Sequence, residues 1–188
     1  ASDLTNTLVT TGSSVIASKA LVDITDASFA STSATIAATV LSNIGGKTSA
    51  AVTLQNLVRI EGTQSEVKAA LVTDASKVVA DTTNTEARVT DAVNASEGDE
   101  IGSVAKIKGI FAGGVSDSLS NLASGGSASS NLTTITGDDS DVAITISDGT
   151  FASTSATLSA TDVSAVGGAT TGTVTVSNAV KIVGAASD

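Results

Sequence analysis

The heptapeptide Phe29-Ala30-Ser31-Thr32-Ser33-Ala34-Thr35 returns letter for letter as Phe151-Ala152-Ser153-Thr154-Ser155-Ala156-Thr157, 122 residues on (29 to 151). Identity runs well past it: 19 of the 34 positions from Phe29 to Gly62 match Phe151 to Gly184. A chain that copies itself in this way is restricted to folds that stack one supersecondary unit on the next. A single unit cannot bury its apolar face alone. Asp26, Asp91 and Asp148 each follow a β-rich run, at spacings of 65 (26 to 91) and 57 (91 to 148), so a diverged copy is expected in the middle. The expected organisation is one elongated repeat domain over 1–188, with copies near 1–66, 67–130 and 131–188.

Each copy has an internal order. A β run (Leu21–Thr25, Ala87–Thr90 or Val142–Ser147) ends at the Asp, which is positioned to cap a following helix. Ile36, Val40, Leu41 and Ile44 form an apolar helical stripe that stops at Gly45-Gly46, a C-cap pattern of positive φ. In the later copy the stripe is Leu158, Val163 and Val166, before Gly167-Gly168. Next comes a strand through Val52, Leu54, Val58 and Ile60 to Gly62, copied as Val174, Val176, Val180, Ile182 and Gly184. Asn56 and Asn178 interrupt it at the same point, as a bulge, a stacked amide row or a surface turn. Thr63-Gln64-Ser65-Glu66 is a capping box opening a second helix, with apolar positions Val67, Ala70, Leu71, Val78 and Val79 and a break near Thr73–Ser76. Ser124–Ser130 reads as a linker, and Asn131–Asp148 as two β runs with no helix between them. The fold class is therefore α/β, a repeat solenoid of strand–helix units with a parallel sheet. The alternative is a right-handed parallel β-helix, because Ser and Thr are poor helix formers.

The residues available restrict the chemistry. With no His and no Cys there is no imidazole base, thiolate nucleophile, catalytic triad or ordinary zinc site. A carboxylate-pair hydrolase would need a sugar cleft, usually aromatic, and three Phe with no Trp or Tyr supply none. The chain does not read as an enzyme. A net charge of −10, with Lys106 and Lys108 as the one close basic pair, argues against nucleic acid. No apolar run reaches the roughly 20 residues that span a bilayer. The opening Ala1-Ser2-Asp3 is not a signal peptide, so an exported protein would be in mature or excised form. A sulfur-free, Ser/Thr-rich chain fits an extracellular material.

The two ends share one pattern. Gly184-Ala185-Ala186-Ser187-Asp188 aligns with Gly62-Thr63-Gln64-Ser65-Glu66, and Ala-Ser-Asp both opens and closes the sequence. Solenoids normally carry polar caps, so two uncapped ends predict head-to-tail association with another copy or with neighbouring repeats. The predicted assembly interface is Ala1, Ser2, Asp3, Leu4 and Leu8 from one end, with Val180, Ile182, Ala185, Ser187 and Asp188 from the other. Asp138, Asp139 and Asp141 form the densest acidic cluster and are the candidate calcium ligands, although the spacing matches no EF-hand loop. Asn94-Ala95-Ser96 and Asn131-Leu132-Thr133 match the glycosylation sequon. Phe29 and Phe151 are expected to fill the core between coils, and Phe111 to be local core or an interface anchor.

The run Val142-Ala143-Ile144-Thr145-Ile146-Ser147-Asp148-Gly149, followed by Thr170-Thr171-Gly172-Thr173-Val174-Thr175 and Val180-Lys181-Ile182-Val183-Gly184, resembles tandem repeats in giant secreted surface proteins of bacteria, notably marine cyanobacteria. Glu97-Gly98-Asp99-Glu100 and Ala105-Lys106-Ile107-Lys108 depart from that pattern. The resemblance implies a cell-surface or extracellular structural role and brings no catalytic residues. The expected function is an extracellular structural protein, a subunit or segment of a filament or stalk. The alternative is a calcium-stiffened adhesin segment that binds a surface or glycan.

Overall fold

The computed structural model describes residues 1–12, 15–28, 35–73, 76, 78–150 and 157–185. They fall into two compact units, Ala1–Thr90 with Ser103–Ile110, and Asp91–Gly102 with Phe111–Asp188. The architecture is mixed α/β, with strands and helices alternating along the chain and parallel pairing in the main sheets.

In the first unit, α1 (Ser2–Leu4) continues into a π-helical stretch over Thr5–Val9. Then come β1 (Val22–Ile24), β2 (Thr35–Ala37), α2 (Ala38–Gly45), β3 (Val52–Leu54), β4 (Arg59–Gly62), α3 (Gln64–Leu71), β5 (Val78–Ala80) and β6 (Thr85–Val89). β7 (Ile107–Phe111) completes the four-stranded sheet β2-β4-β6-β7, its last residue belonging to the second unit. β1, β3 and β5 are parallel, so Val22, Val52 and Val78 stand in one row and Ile24, Leu54 and Ala80 in another. Ile36, Ile60 and Ala87 form a third row across β2, β4 and β6. All nine are buried, because in a short strand alternate side chains face the core. Parallel neighbours require a crossover, which α2 and α3 provide by packing on each other above the sheets. Paired residues lie 24 to 30 positions apart (35 to 59, 22 to 52), so one sequence copy contains two stacked rungs.

The second unit contains α4 (Ala95–Gly102), β8 (Val115–Asp117), α5 (Leu119–Leu122), β9 (Ala123–Ser124), β10 (Ser127–Ala128) and α6 (Ser130–Asp138). β11 (Ile144–Ile146), β12 (Thr157–Ser159), α7 (Ala160–Ala169), β13 (Val174–Val176) and β14 (Lys181–Val183) follow. β8, β11 and β13 are parallel, as are β12 and β14. Helix α4 packs on α6. Phe111 is buried and is core.

The 122-residue repeat is a repeat of hydrogen bonds as well as of letters. The Thr48 hydroxyl donates to the Ala20 carbonyl at 2.6 Å and accepts from the Ala50 N–H at 3.0 Å. Thr170 does the same with Val142 (2.7 Å) and Gly172 (2.9 Å). Both hydroxyls are buried and fully paired, each tying one rung to the rung before it. The adjacent Ser49 and Thr171 hydroxyls reach back to the Ser18 and Ser140 carbonyls at 2.8 and 3.1 Å. Asn56 and Asn178 are neither bulges nor an amide row. They sit at the corner between two strands, and their side-chain amides donate to the Asp26 and Asp148 carbonyls at 2.8 and 2.7 Å.

Several local expectations are corrected. The run from Val52 to Gly62 is two strands with a corner at Asn56. Ile36 and Leu158 lie on strands β2 and β12, and the helices begin two residues later. Gly45-Gly46 ends α2 without positive φ, Gly46 being αR at φ −67°. Gly45 is required instead because a Cβ there would overlap the Ser76 carbonyl. Helix α3 has its capping box but stops at Leu71, and Val78 and Val79 belong to β5. The supposed linker is a tight hairpin of β9 and β10, turned by Gly125 and Gly126 at φ 60° and 77°. The first of the two β runs is helix α6, its N-cap Ser129 accepting from the Leu132 N–H, so no helix is missing. Helix dominates where the β-helix alternative needed extended chain, at Ala38–Gly45 and Ala160–Ala169. Phe29 and Phe151 lie outside the described residues.

Candidate functional site

The outermost strands carry the candidate site. In the first unit β3 lies between β1 and β5, whereas in the second unit its copy β13 is the last strand of the sheet β8-β11-β13. β1 shows the converse. Its copy β11 is flanked by β8 and β13, yet β1 is paired by β3 alone among the described strands. Likewise β4 lies between β2 and β6, and among the described strands its copy β14 pairs with β12 alone. An edge strand leaves a row of backbone N–H and C=O groups unpaired, which is a template for a further strand.

Side-chain exposure follows the same division. Ile60 is fully buried, and its copy Ile182 is 51% exposed. Among the described residues the exposed large apolar side chains are Val15, Ile16, Leu21, Val79, Ile182 and Val183. All but Val79 belong to the segment before β1 or to β14. Leu8 and Val9 join Val15 and Ile16 around a cleft of about 420 Å³ in the first unit.

The predicted interface residues divide accordingly. Ala1 is the N-cap of α1, and Ser2, Asp3, Leu4 and Leu8 lie on α1 and the π-helical turn, with Leu4 and Leu8 half-buried and Ser2 and Asp3 exposed. Val180 is half-buried, and Ile182 and Ala185 are exposed, on and beside β14. Ser187 and Asp188 lie outside the described residues.

Of the aspartates expected to cap helices, Asp148 does so, but for a helix in the preceding coil rather than a following one. Asp148 accepts from the Leu119 N–H that opens α5, at 2.6 Å and 29 residues earlier. Asp117, at the end of β8, accepts from the Ala95 N–H that opens α4 at 3.0 Å. Asp26 takes the Ala1 amino group as an ion pair in the same arrangement. Carboxylates favour helix N-termini because the first N–H groups lack intrahelical partners. Small clefts beside Asp26 and Asp148, of about 400 and 210 Å³, are copies of one another: Thr35, Ile36 and Ala37 line the first, Thr157, Leu158 and Ser159 the second. In each, the conserved geometry already engages the carboxylate with a helix start.

The acidic cluster is drawn into local structure. Asp139 accepts from the Phe111 N–H at 2.7 Å, and Asp138 ends α6. Among the described residues no group of three or more His, Cys, Asp or Glu side chains is gathered to hold a metal ion. Asn94, matched to the sequon, works as a helix cap: its Oδ1 accepts from the Glu97 N–H at 2.9 Å, and Glu97 reaches back to the Asn94 N–H at 3.3 Å. The signal was present as Asn-x-x-Glu, the capping-box spacing. Among the described residues no helix is long and apolar enough to cross a membrane. Comparison with protein-family models, with curated proteins and with solved structures gives no match.

Proposed function

We propose that this chain is an extracellular or cell-surface structural protein, a stretch of α/β solenoid that serves as a subunit or segment of a filament or stalk joined head to tail. The observation that carries the reading is the placement of the exposed apolar side chains. Val15, Ile16 and Leu21 precede an edge strand of the first unit, and Ile182 and Val183 lie on an edge strand of the second. Monomeric proteins blunt their edge strands with charge, proline or a covering element. This chain contains no Pro, and although β14 carries Lys181 it places Val183 where the covered copy has Glu61. The regular rungs, tied together by buried Thr hydroxyls, supply the stiffness that a fibre needs. The absence of sulfur suits long exposure outside a cell.

The test is self-association of the purified 188-residue chain. Sedimentation velocity over a range of concentrations, followed by negative-stain microscopy, is expected to show species growing with concentration into linear oligomers. A concentration-independent monomer would sink the proposal.

A further inference from the structure

We infer that the contact between copies is a continuation of the parallel sheets in one fixed register, with Val174–Val176 of one copy paired to Val22–Ile24 of the next; this rests on the head-to-tail reading above. The partner is a second copy of this chain because, among the described strands, each edge has open the side on which its own copy carries a neighbour. β13 copies β3, and β3 is covered on its outer side by β5 through Val52 opposite Val78 and Leu54 opposite Ala80. β1 copies β11, and β11 is flanked on the side that β1 leaves open by β8, with Ile144 opposite Val115. Superposing the two relations sets Val174 against Val22, Thr175 against Asp23 and Val176 against Ile24.

The second row rests on β4, which β6 covers with Ile60 opposite Ala87; β12, the copy of β2, has no outer neighbour among the described strands. β4 stacks on β2 with Ile60 opposite Ile36, and β14 stacks on β12 with Ile182 opposite Leu158. Laying β2 of the next copy on β14 sets Ile182 against Ile36 and Val183 against Ala37, extending the inward row that already runs through each unit. Apolar Val183 then meets apolar Ala37, whereas its copy Glu61 inside the first unit pairs with Arg88 at 3.3 Å. The charged pair belongs to the internal junction, and the apolar one to the junction between copies. Recognition is backbone hydrogen bonding by strand addition, with the inward side chains supplying selectivity.

The chain has no native Cys, so engineered thiols report the register directly. Asp23 and Thr175 both point outward. Asp23→Cys and Thr175→Cys variants, prepared separately, mixed and oxidised, are expected to give a disulfide dimer at twice the chain mass. Thr173→Cys and Ser177→Cys, two residues to either side, are expected to give at least tenfold less. Ile182→Lys, at an exposed position that leaves the fold intact, is expected to weaken association at least tenfold without moving the melting temperature. Oligomers that cross-link best through Ser177→Cys or Thr173→Cys, or that survive Ile182→Lys, would overturn the register while leaving head-to-tail assembly standing. A wild-type chain that stays monomeric in sedimentation overturns both.

Discussion

The rung made by β3 and β4 and the rung made by β13 and β14 are built from nearly the same letters. Val52, Thr53, Asn56, Val58, Ile60 and Gly62 recur as Val174, Thr175, Asn178, Val180, Ile182 and Gly184. Their internal geometry agrees too, from the buried Thr hydroxyl before the first strand to the Asn amide at the corner. Their surroundings do not. Val52, Leu54, Val58 and Ile60 are at most 1% exposed beneath β5 and β6, whereas Ile182 and Val183 are about half exposed. The same pattern becomes a core in one place and an exposed surface in the other, according to whether another rung lies over it.

Substitution at the paired isoleucines breaks the comparison most sharply. Ile60→Ala removes a fully buried side chain and is expected to cost about 2–5 kcal/mol in denaturant unfolding. Ile182→Ala in the dilute chain is expected to change stability by less than about 0.5 kcal/mol. Equal losses would mean that the outer rung is buried in solution by something else.

The paired glycines come next. A Cβ on Gly45 runs into the Ser76 backbone, while one on Gly167 meets nothing within 4 Å. Gly45→Ala is expected to destabilise by about 1–3 kcal/mol, as an overpacked site does. Gly167→Ala, inside α7, is expected to stabilise by up to about 1 kcal/mol through helix propensity. Thermal melts of the two variants should therefore move in opposite directions.

The smallest difference is expected where the two copies agree. Thr48→Val and Thr170→Val each leave a carbonyl and an N–H without their hydroxyl partner, at about 1–3 kcal/mol apiece. Urea midpoints should fall by similar amounts in both variants. A loss confined to Thr48 would show that the staple matters only beneath a covering rung.

Much of the fold was legible because repetition and alternation are local properties. The class, the parallel strands, the Thr63–Glu66 capping box and the equivalence of Asn56 with Asn178 all follow from short stretches of sequence. The Ser130–Asp138 helix was misread because Thr133, Thr134 and Thr136 favour strand on propensity. In the folded chain their hydroxyls donate back to carbonyls three or four residues earlier, while Leu132 and Ile135 face the core. Gly125 and Gly126 looked like a linker because glycine marks both flexible chain and tight turns, and only the strand pairing beside them distinguishes the two.

The sequence by itself determined that this chain alternates strands and helices and repeats part of that pattern 122 residues on, and it excluded imidazole and thiol chemistry. Those are matters of periodicity and of which atoms are present. Tertiary structure decided which helix each aspartate caps, why Gly45 admits no side chain and which copies of the apolar pattern are covered. Each of those depends on a partner that lies about one coil away along the chain, a distance at which letter spacing no longer specifies contact.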